Sequence, residues 1–271
     1  MLRTILAPNA SPMTLDGTRT FVVGRRAPAV VDPGPADPAH LDAIVRALGG
    51  AAPVAILLTH SHRDHADGAL PLAERTGAPV RMARGAFSLP FGENRVERWL
   101  EDGDVTGTDA GPLVVVATPG HAPEHLAFHW TGPDAPEGGA LFAGDAFMGQ
   151  GDTTLVSPPE GDLAAYLRTL DRVESLAPGV LHPAHGPEIA DPLAAVARYR
   201  AHRMERIAQV VRALRQAGPS RPGALVDAVY GAELHPGLRM AAEGSLYAIL
   251  GYLEASGRAR VDPDDTYTLT G

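Results

Sequence analysis

Apolar positions along the chain fall into short continuous runs and longer, helically spaced stretches that alternate from the N-terminus onward. "TRTFVVG" and "APAVVDPGP" predict two strands joined by a turn, the second closing at Asp32-Pro33-Gly34. In "DPAHLDAIVRAL", Leu41, Ile44, Val45 and Leu48 recur at helical spacing behind Asp37, a suitable N-cap. "VAILLTH" is apolar without interruption, as a strand covered on both faces must be. A helix through "GALPLAERTG" and a strand at "PVRMA" follow, so the first part alternates strand and helix, the mark of a layered α/β fold. "PLVVVATPGHA", "HLAFHW" and "GALFAGD" add strands, each running into or out of a His or Asp. Polar residues at the ends of rigid strands are where function concentrates.

The texture changes after about residue 192. "PLAAVARYRAHRMERIAQVVRALRQAG" reads as one long helix ending at Gly218, "RPGALVDAVYG" and "GLRMAAEGSLYAILGYLEASG" as two more, and "RARVDPDDTYTLTG" as a hairpin turning at Pro263-Asp264-Asp265. Helices followed by a β wing are the layout of a winged-helix module. Two domains are expected, residues 1–195 and 196–271, with the long helix linking them. The third helix carries Arg239 and little other basic charge before Arg258, and its apolar residues share one face. That predicts packing against the first domain or a second subunit, a homodimer, rather than DNA contact.

Composition narrows the chemistry. The 271 residues are 45% hydrophobic and 20% charged, with net charge −9 and no Lys, so all 23 basic residues are Arg. Such a balance gives no general attraction to nucleic acid or to an anionic membrane. No run of about 18 apolar residues marks a transmembrane helix, and "MLRTILAPNASPM" is too short an apolar run for a secretory signal. The cytoplasm is the expected compartment. With zero Cys there is no disulfide, thiolate ligand or cysteine nucleophile. Any metal must be held by His, Asp or Glu.

"ILLTHSHRDHADGAL" places His60, His62, Asp64 and His65 directly after an apolar run. Imidazole and carboxylate suit zinc, iron or manganese, and lack of thiolate fits a catalytic site with an open coordination position. Further candidates stand at strand ends: His121 in "TPGHAPEH", Asp145 in "FAGD" and His185 in "HPAHGP", with His125 and His182 as neighbouring rivals. Asp32 is either a turn residue or a support for the site.

The order Asp32, His60-x-His62-x-Asp64-His65, His121, Asp145, His185 resembles the metallo-β-lactamase superfamily over essentially the whole chain. "SPMTLDGTRTFVVG", "THSHRDH", "AHRMERIAQVV" and the C-terminal helices look most like its β-lactamase-like protein 2 subgroup. The resemblance implies a four-layer αββα sandwich with a C-terminal winged-helix-like module and two divalent metal ions, zinc before iron or manganese. Metal 1 would take His60, His62 and His121. Metal 2 would take Asp64, His65 and His185. Asp145 would bridge both, opposite a bridging hydroxide, and Asp32 would orient ligand histidines. Two departures are visible: Asp67 stands where the family commonly has glycine, facing solvent in our reading, and Ala122 where a Thr is frequent.

Metal-dependent hydrolysis follows, with Asp64 and Asp145 as catalytic residues and Asp64 able to accept a proton. The expected substrate is a small-molecule ester, thioester or lactone. Single-stranded RNA is the alternative, disfavoured by the acidic balance and only 5% aromatic residues. A β-lactamase, a metal-sensing DNA-binding regulator and a single-iron persulfide dioxygenase rank lower. Substrate loops are expected at "APNASPM", "RGAFSLPFGENRVERW" and "FMGQGDTTL", with Phe87, Phe91 and Trp99 as either pocket lining or ordinary core.

Overall fold

The early strands and helices build the first of two sheets. In the computed structural model, which describes residues 1–270, β1 (Leu2–Leu6), β2 (Arg19–Val23), β3 (Ala29–Val31), β4 (Ala55–Leu57), β5 (Val80–Met82) and β6 (Val96–Trp99) lie side by side in chain order. Pairing is antiparallel from β1 to β3 and parallel from there on. The change falls where crossover helices enter, because parallel neighbours need a long connection. Helix α1 (Pro38–Leu48) begins as expected, its His40 N–H donating to the Asp37 side chain, and closes at Gly49 with φ +62°. Helix α2 (Arg63–Ala66) follows β4 after a short loop, and α3 (Ala69–Thr76) leads to β5.

The second sheet contains β7 (Val105–Thr108), β8 (Gly111–Ala117), β9 (Leu126–Trp130), β10 (Ala140–Gly144) and β11 (Val180–Pro183), in the order β11-β10-β9-β8-β7. Helix α4 (Leu163–Leu176) joins β10 to β11 as a right-length crossover between parallel strands. The sheets meet through Phe21, Val31 and Leu57 on one side and Leu113, Phe128 and Phe142 on the other. Ile44 and Leu72 cover the outer face of the first sheet over Val22, Val30 and Ile56. Outside the second sheet lie α4 and α5 (Pro192–Ala217). The result is the four-layer αββα sandwich expected from the resemblance.

Helix α5 runs 26 residues without a break across position 195. Its first turns bury Ala195, Val196 and Tyr199, and its last bury Ile207, Val210 and Leu214. There it meets α6 (Pro222–Tyr230), α7 (Arg239–Ala255) and the hairpin of β12 (Ala259–Val261) and β13 (Tyr267–Leu269), whose turn holds Asp265 at φ +62°. One apolar cluster extends from Leu141 and Tyr166 to Leu246, Leu250 and Tyr267, so the C-terminal module shares a core with the sandwich. Helix α7 buries Ala242, Leu246, Ile249 and Leu253, and Arg239 is paired with Asp227 at 2.8 Å. The helix is committed to packing, as its one-sided apolar pattern predicts. Among the described residues no helix is long and apolar enough to cross a membrane.

Candidate metal centre

Every motif residue lies just beyond the end of a strand. Asp32 follows β3, residues 59–65 follow β4, His121 sits in the β8–β9 loop, Asp145 follows β10 and His185 follows β11. Gly144 permits this convergence: its φ is +49°, and a Cβ there would stand 2.8 Å from the Thr59 side chain and 2.6 Å from His125 Nε2.

Two ligand groups result. In the first, His60, His62, His121 and Asp145 bring one donor atom each within 4.8 Å of one another; in the second, Asp64, His65 and His185 do the same. His62 Nδ1 lies 2.9 Å from His60 Nε2 and 3.0 Å from His121 Nε2. Asp145 faces both groups, with Oδ2 3.4 Å from His121 Nε2 and Oδ1 3.2 Å from His185 Nε2 and 3.4 Å from His65 Nε2. Asp64 Oδ2 is 3.2 Å from His185 Nε2.

Behind the ligands, a hydrogen bond fixes the far nitrogen of each imidazole. Asp32 is buried with φ +47° and accepts from Thr59 N–H at 2.8 Å, the Thr59 hydroxyl at 2.8 Å and His65 Nδ1–H at 2.9 Å. The Thr59 oxygen in turn accepts from His60 Nδ1–H at 3.0 Å. His121 Nδ1–H donates to the Leu155 carbonyl at 2.8 Å, His62 Nε2–H to Glu160 at 2.7 Å, and His185 Nδ1–H to the Gly17 carbonyl at 3.3 Å. In the neutral form of each ring this leaves the lone pair on the inward nitrogen.

These residues fit a pair of divalent cations. His65 Nε2 and Asp145 Oδ1 are buried without a hydrogen-bond partner, which costs about 1–3 kcal/mol per group unless something else meets them. Nitrogen and carboxylate donors without thiolate suit zinc, iron or manganese.

The groups differ electrostatically. Burial, reinforced by neighbouring imidazoles, pushes His60 well below the usual histidine range and lowers His121, leaving both neutral and ready to ligate. Burial pulls on His65 too, but Asp64, Asp145 and Asp32 outweigh it and hold it well above its ordinary value. His185, also buried, is raised to about 9 by Asp145 and Asp64. Burial opposes ionisation of the two carboxylates; His65 and His185 overcome it, holding Asp64 at about 2 and Asp145 well below its normal range.

The rival histidines lie outside both groups. His125 Nε2 accepts from Asp145 N–H at 3.1 Å and Nδ1–H donates to Thr118 at 2.8 Å, so it anchors the strand end that presents Asp145. His182 stacks on Phe142 between the sheets. Asp67 accepts from Arg63 at 3.0 Å and is only partly exposed, rather than open to solvent as expected. The loop "RGAFSLPFGENRVERW" stays away from the centre: Phe87 is exposed, while Phe91 and Trp99 pack against the apolar cluster on the outer face of the first sheet. The other two expected loops do reach it, through Met13 and through Met148, Thr154 and Leu155. Glu160, which holds the ligand His62, and Glu124, whose Oε1 accepts from Ser61 N–H and Oγ–H, are not expected from the sequence; each lies far along the chain from its partner, and no local spacing signals them.

A cavity of about 380 Å³ opens above the ligands, walled on the far side by Tyr230, Leu234, Leu238, Ala242 and Ile249 of the C-terminal module.

Comparison with known proteins agrees with this architecture. The family model for the metallo-beta-lactamase superfamily matches residues 14–185, and that for the beta-lactamase associated winged helix domain matches residues 222–266. The chain is 30% identical over 223 residues to the beta-lactamase-like protein 2 homolog of Caenorhabditis elegans, covering 78% of this chain and 70% of that one. It is 31% identical over 222 residues to an atrochrysone carboxyl ACP thioesterase of Aspergillus chevalieri, covering 81% and 67%. The solved structure of a metallo-beta-lactamase family protein from Thermus thermophilus superposes with a TM-score of 0.79 at 24% identity, over 99% of this chain and 98% of that one, a likeness of fold. By motif order, fold and sequence, the chain belongs to the metallo-β-lactamase superfamily of hydrolases, with the β-lactamase-like protein 2 homologues among its relatives.

Proposed function

We propose that the protein is a cytoplasmic di-metal hydrolase of a small-molecule acyl ester or thioester. One observation carries this reading: both ligand groups floor a single pocket whose remaining lining is mainly apolar, from Met148 and Leu155 to Leu234, Leu238 and Ile249. Such a cavity suits an acyl group. When bound, two divalent cations, zinc in the first instance, supply Lewis-acid polarisation of the scissile carbonyl and a water that is nucleophilic near neutral pH.

The chain's own residues do the rest. Asp145, touching both groups, sets their spacing, and its backbone is held by His125. Asp64 lines the pocket and engages His185 through Oδ2 alone, leaving Oδ1 to take a proton from the attacking water and return it to the leaving thiolate or alkoxide. Asp32 and Glu160 keep the imidazoles from swinging out of register. The thioesterase name of the Aspergillus relative supports the thioester within this class.

The test is a side-by-side assay of an acyl thioester and a labelled single-stranded RNA on metal-loaded protein, with Asp64→Ala as control. Thioester turnover should fall at least a hundredfold in the variant, the order associated with a general acid–base group, while RNA stays intact. RNA cleavage that vanishes in Asp64→Ala, without thioester turnover in the native protein, would overturn the reading.

A further inference from the structure

Two arginines on α5 have no role in the metal centre or the apolar wall. Arg203 and Arg206, separated by one helical turn, both line the pocket, and beyond the ligands Asp64 and Asp145 they are its only formally charged residues among those described. Arg203 is buried, with a residue exposure of 4%. It donates to the Thr154 carbonyl and lies over the Tyr166 ring at 4.9 Å, yet makes no ion pair among the described residues, and its Nε–H is buried without a partner. Arg206 donates to Gln209 and to the Val229 carbonyl and lies over Tyr230 at 4.5 Å, and it too makes no ion pair among the described residues.

A buried guanidinium without a counter-ion is costly to fold around. Here the cost falls in a chain of net charge −9, where acidic partners are plentiful. Neighbouring His202 also lines the pocket and has a buried Nδ1 without a partner. Burial, then the positive charge of Arg203 and Arg206, lowers its proton affinity against the weaker pull of Asp152 and Glu205. The α5 wall is thus a positive surface beside the apolar far wall of the cavity, with planar donors suited to an oxyanion.

We infer that Arg203 and Arg206 form an anion subsite, so that the substrate carries a carboxylate or phosphate in addition to its scissile acyl bond. This rests on the reading that the pocket takes a small acyl substrate. The anion has two chemical sources, a carboxylate at the far end of the acyl group or a phosphate in the thiol half, and binding separates them.

The experiment is isothermal titration of the metal-loaded full chain with two matched pairs. Glutarate is compared with glutaramate, which keeps one carboxylate for the metals, and 4′-phosphopantetheine with pantetheine, which keeps the thiol. In one pair the more highly charged member should bind at least tenfold more tightly, and which pair it is identifies the source. That preference should fall below threefold in Arg203→Gln and in Arg206→Gln. Arg206 is only partly buried, so its variant keeps the test valid if Arg203→Gln does not fold. A purely structural role would lower the melting temperature and leave the charged-to-neutral ratio unchanged. Equal affinities in both pairs, or a preference that survives Arg206→Gln, overturns the subsite. Anion preference without thioester turnover keeps the subsite and removes the thioesterase reading; turnover without preference does the reverse.

Discussion

Asp32 lies outside the cavity and is not itself an expected ligand, yet its replacement should loosen both halves of the candidate metal centre. It accepts three hydrogen bonds, two from Thr59 and one from His65, and through the Thr59 hydroxyl it also orients His60. His60 belongs to the first ligand group and His65 to the second. In Asp32→Asn the left-handed backbone is tolerated, since Asn adopts φ near +50° readily. The amide oxygen can still accept from Thr59 N–H, but the amide nitrogen then faces two donors, the Thr59 hydroxyl and His65 Nδ1–H. Each hydrogen bond lost to a charged acceptor is worth about 1.5–3 kcal/mol. The imidazoles keep their inward nitrogens, so the loss in metal affinity should be the about 10–100-fold typical of groups behind a ligand, or about 1.4–2.7 kcal/mol. Competition with a chromophoric chelator measures it, with far-UV circular dichroism to confirm the fold. Asp67→Asn, in the same segment but paired only with Arg63, is the control and should bind metal normally. Affinity within threefold of the native value for both ions in Asp32→Asn would refute the reasoning.

Three further outcomes are expected. Asp145→Ala removes the carboxylate shared by both groups and should lower bound metal from two ions per chain towards one or none; elemental analysis showing full retention would sink the shared-ligand assignment. Glu160→Ala removes the acceptor of His62 Nε2–H and touches no other ligand, so affinity at the first group should drop about tenfold while the second is unchanged, read as the appearance of two chelation phases. Burial lowers the proton affinity of His40, which donates from Nε2 to Thr20 while its buried Nδ1 has no partner. The unfolded chain therefore takes up a proton near pH 6.5 that the folded chain resists, so this residue's contribution is complete above that pH and declines below it, by at most about 1.4 kcal/mol per pH unit. The destabilisation caused by His40→Asn, measured by urea unfolding, should shrink from pH 8 to pH 5; a cost independent of pH would contradict it.

The clustering of the candidate metal-binding residues was legible because they belong to local patterns. His60, His62, Asp64 and His65 share one turn of chain after an apolar strand, and His121, Asp145 and His185 each follow a strand whose burial forces its end to a defined edge. The same logic made β4, α1 and the C-terminal hairpin readable. Helix α4 escaped despite helical spacing of Leu163, Tyr166, Leu170 and Val173, since it follows a Gly- and Pro-rich stretch that reads as continuous loop. Strands β1, β6 and β7 are short and only partly buried, so their apolar signal is weak.

By itself, then, the sequence determined which side chains can hold metal and that alternating elements must layer around two sheets, because spacing and periodicity act over a few residues. Only the tertiary structure decided what stands behind and opposite those ligands. Glu160 reaches His62 across 98 positions, and Asp32 reaches His65 across 33. Arg203 and Arg206 share a cavity with the candidate ligands only because α5 lies against the second sheet and α7 packs over it. Those are contacts between elements distant in the chain, set by the packing of their apolar faces, and no local pattern records them.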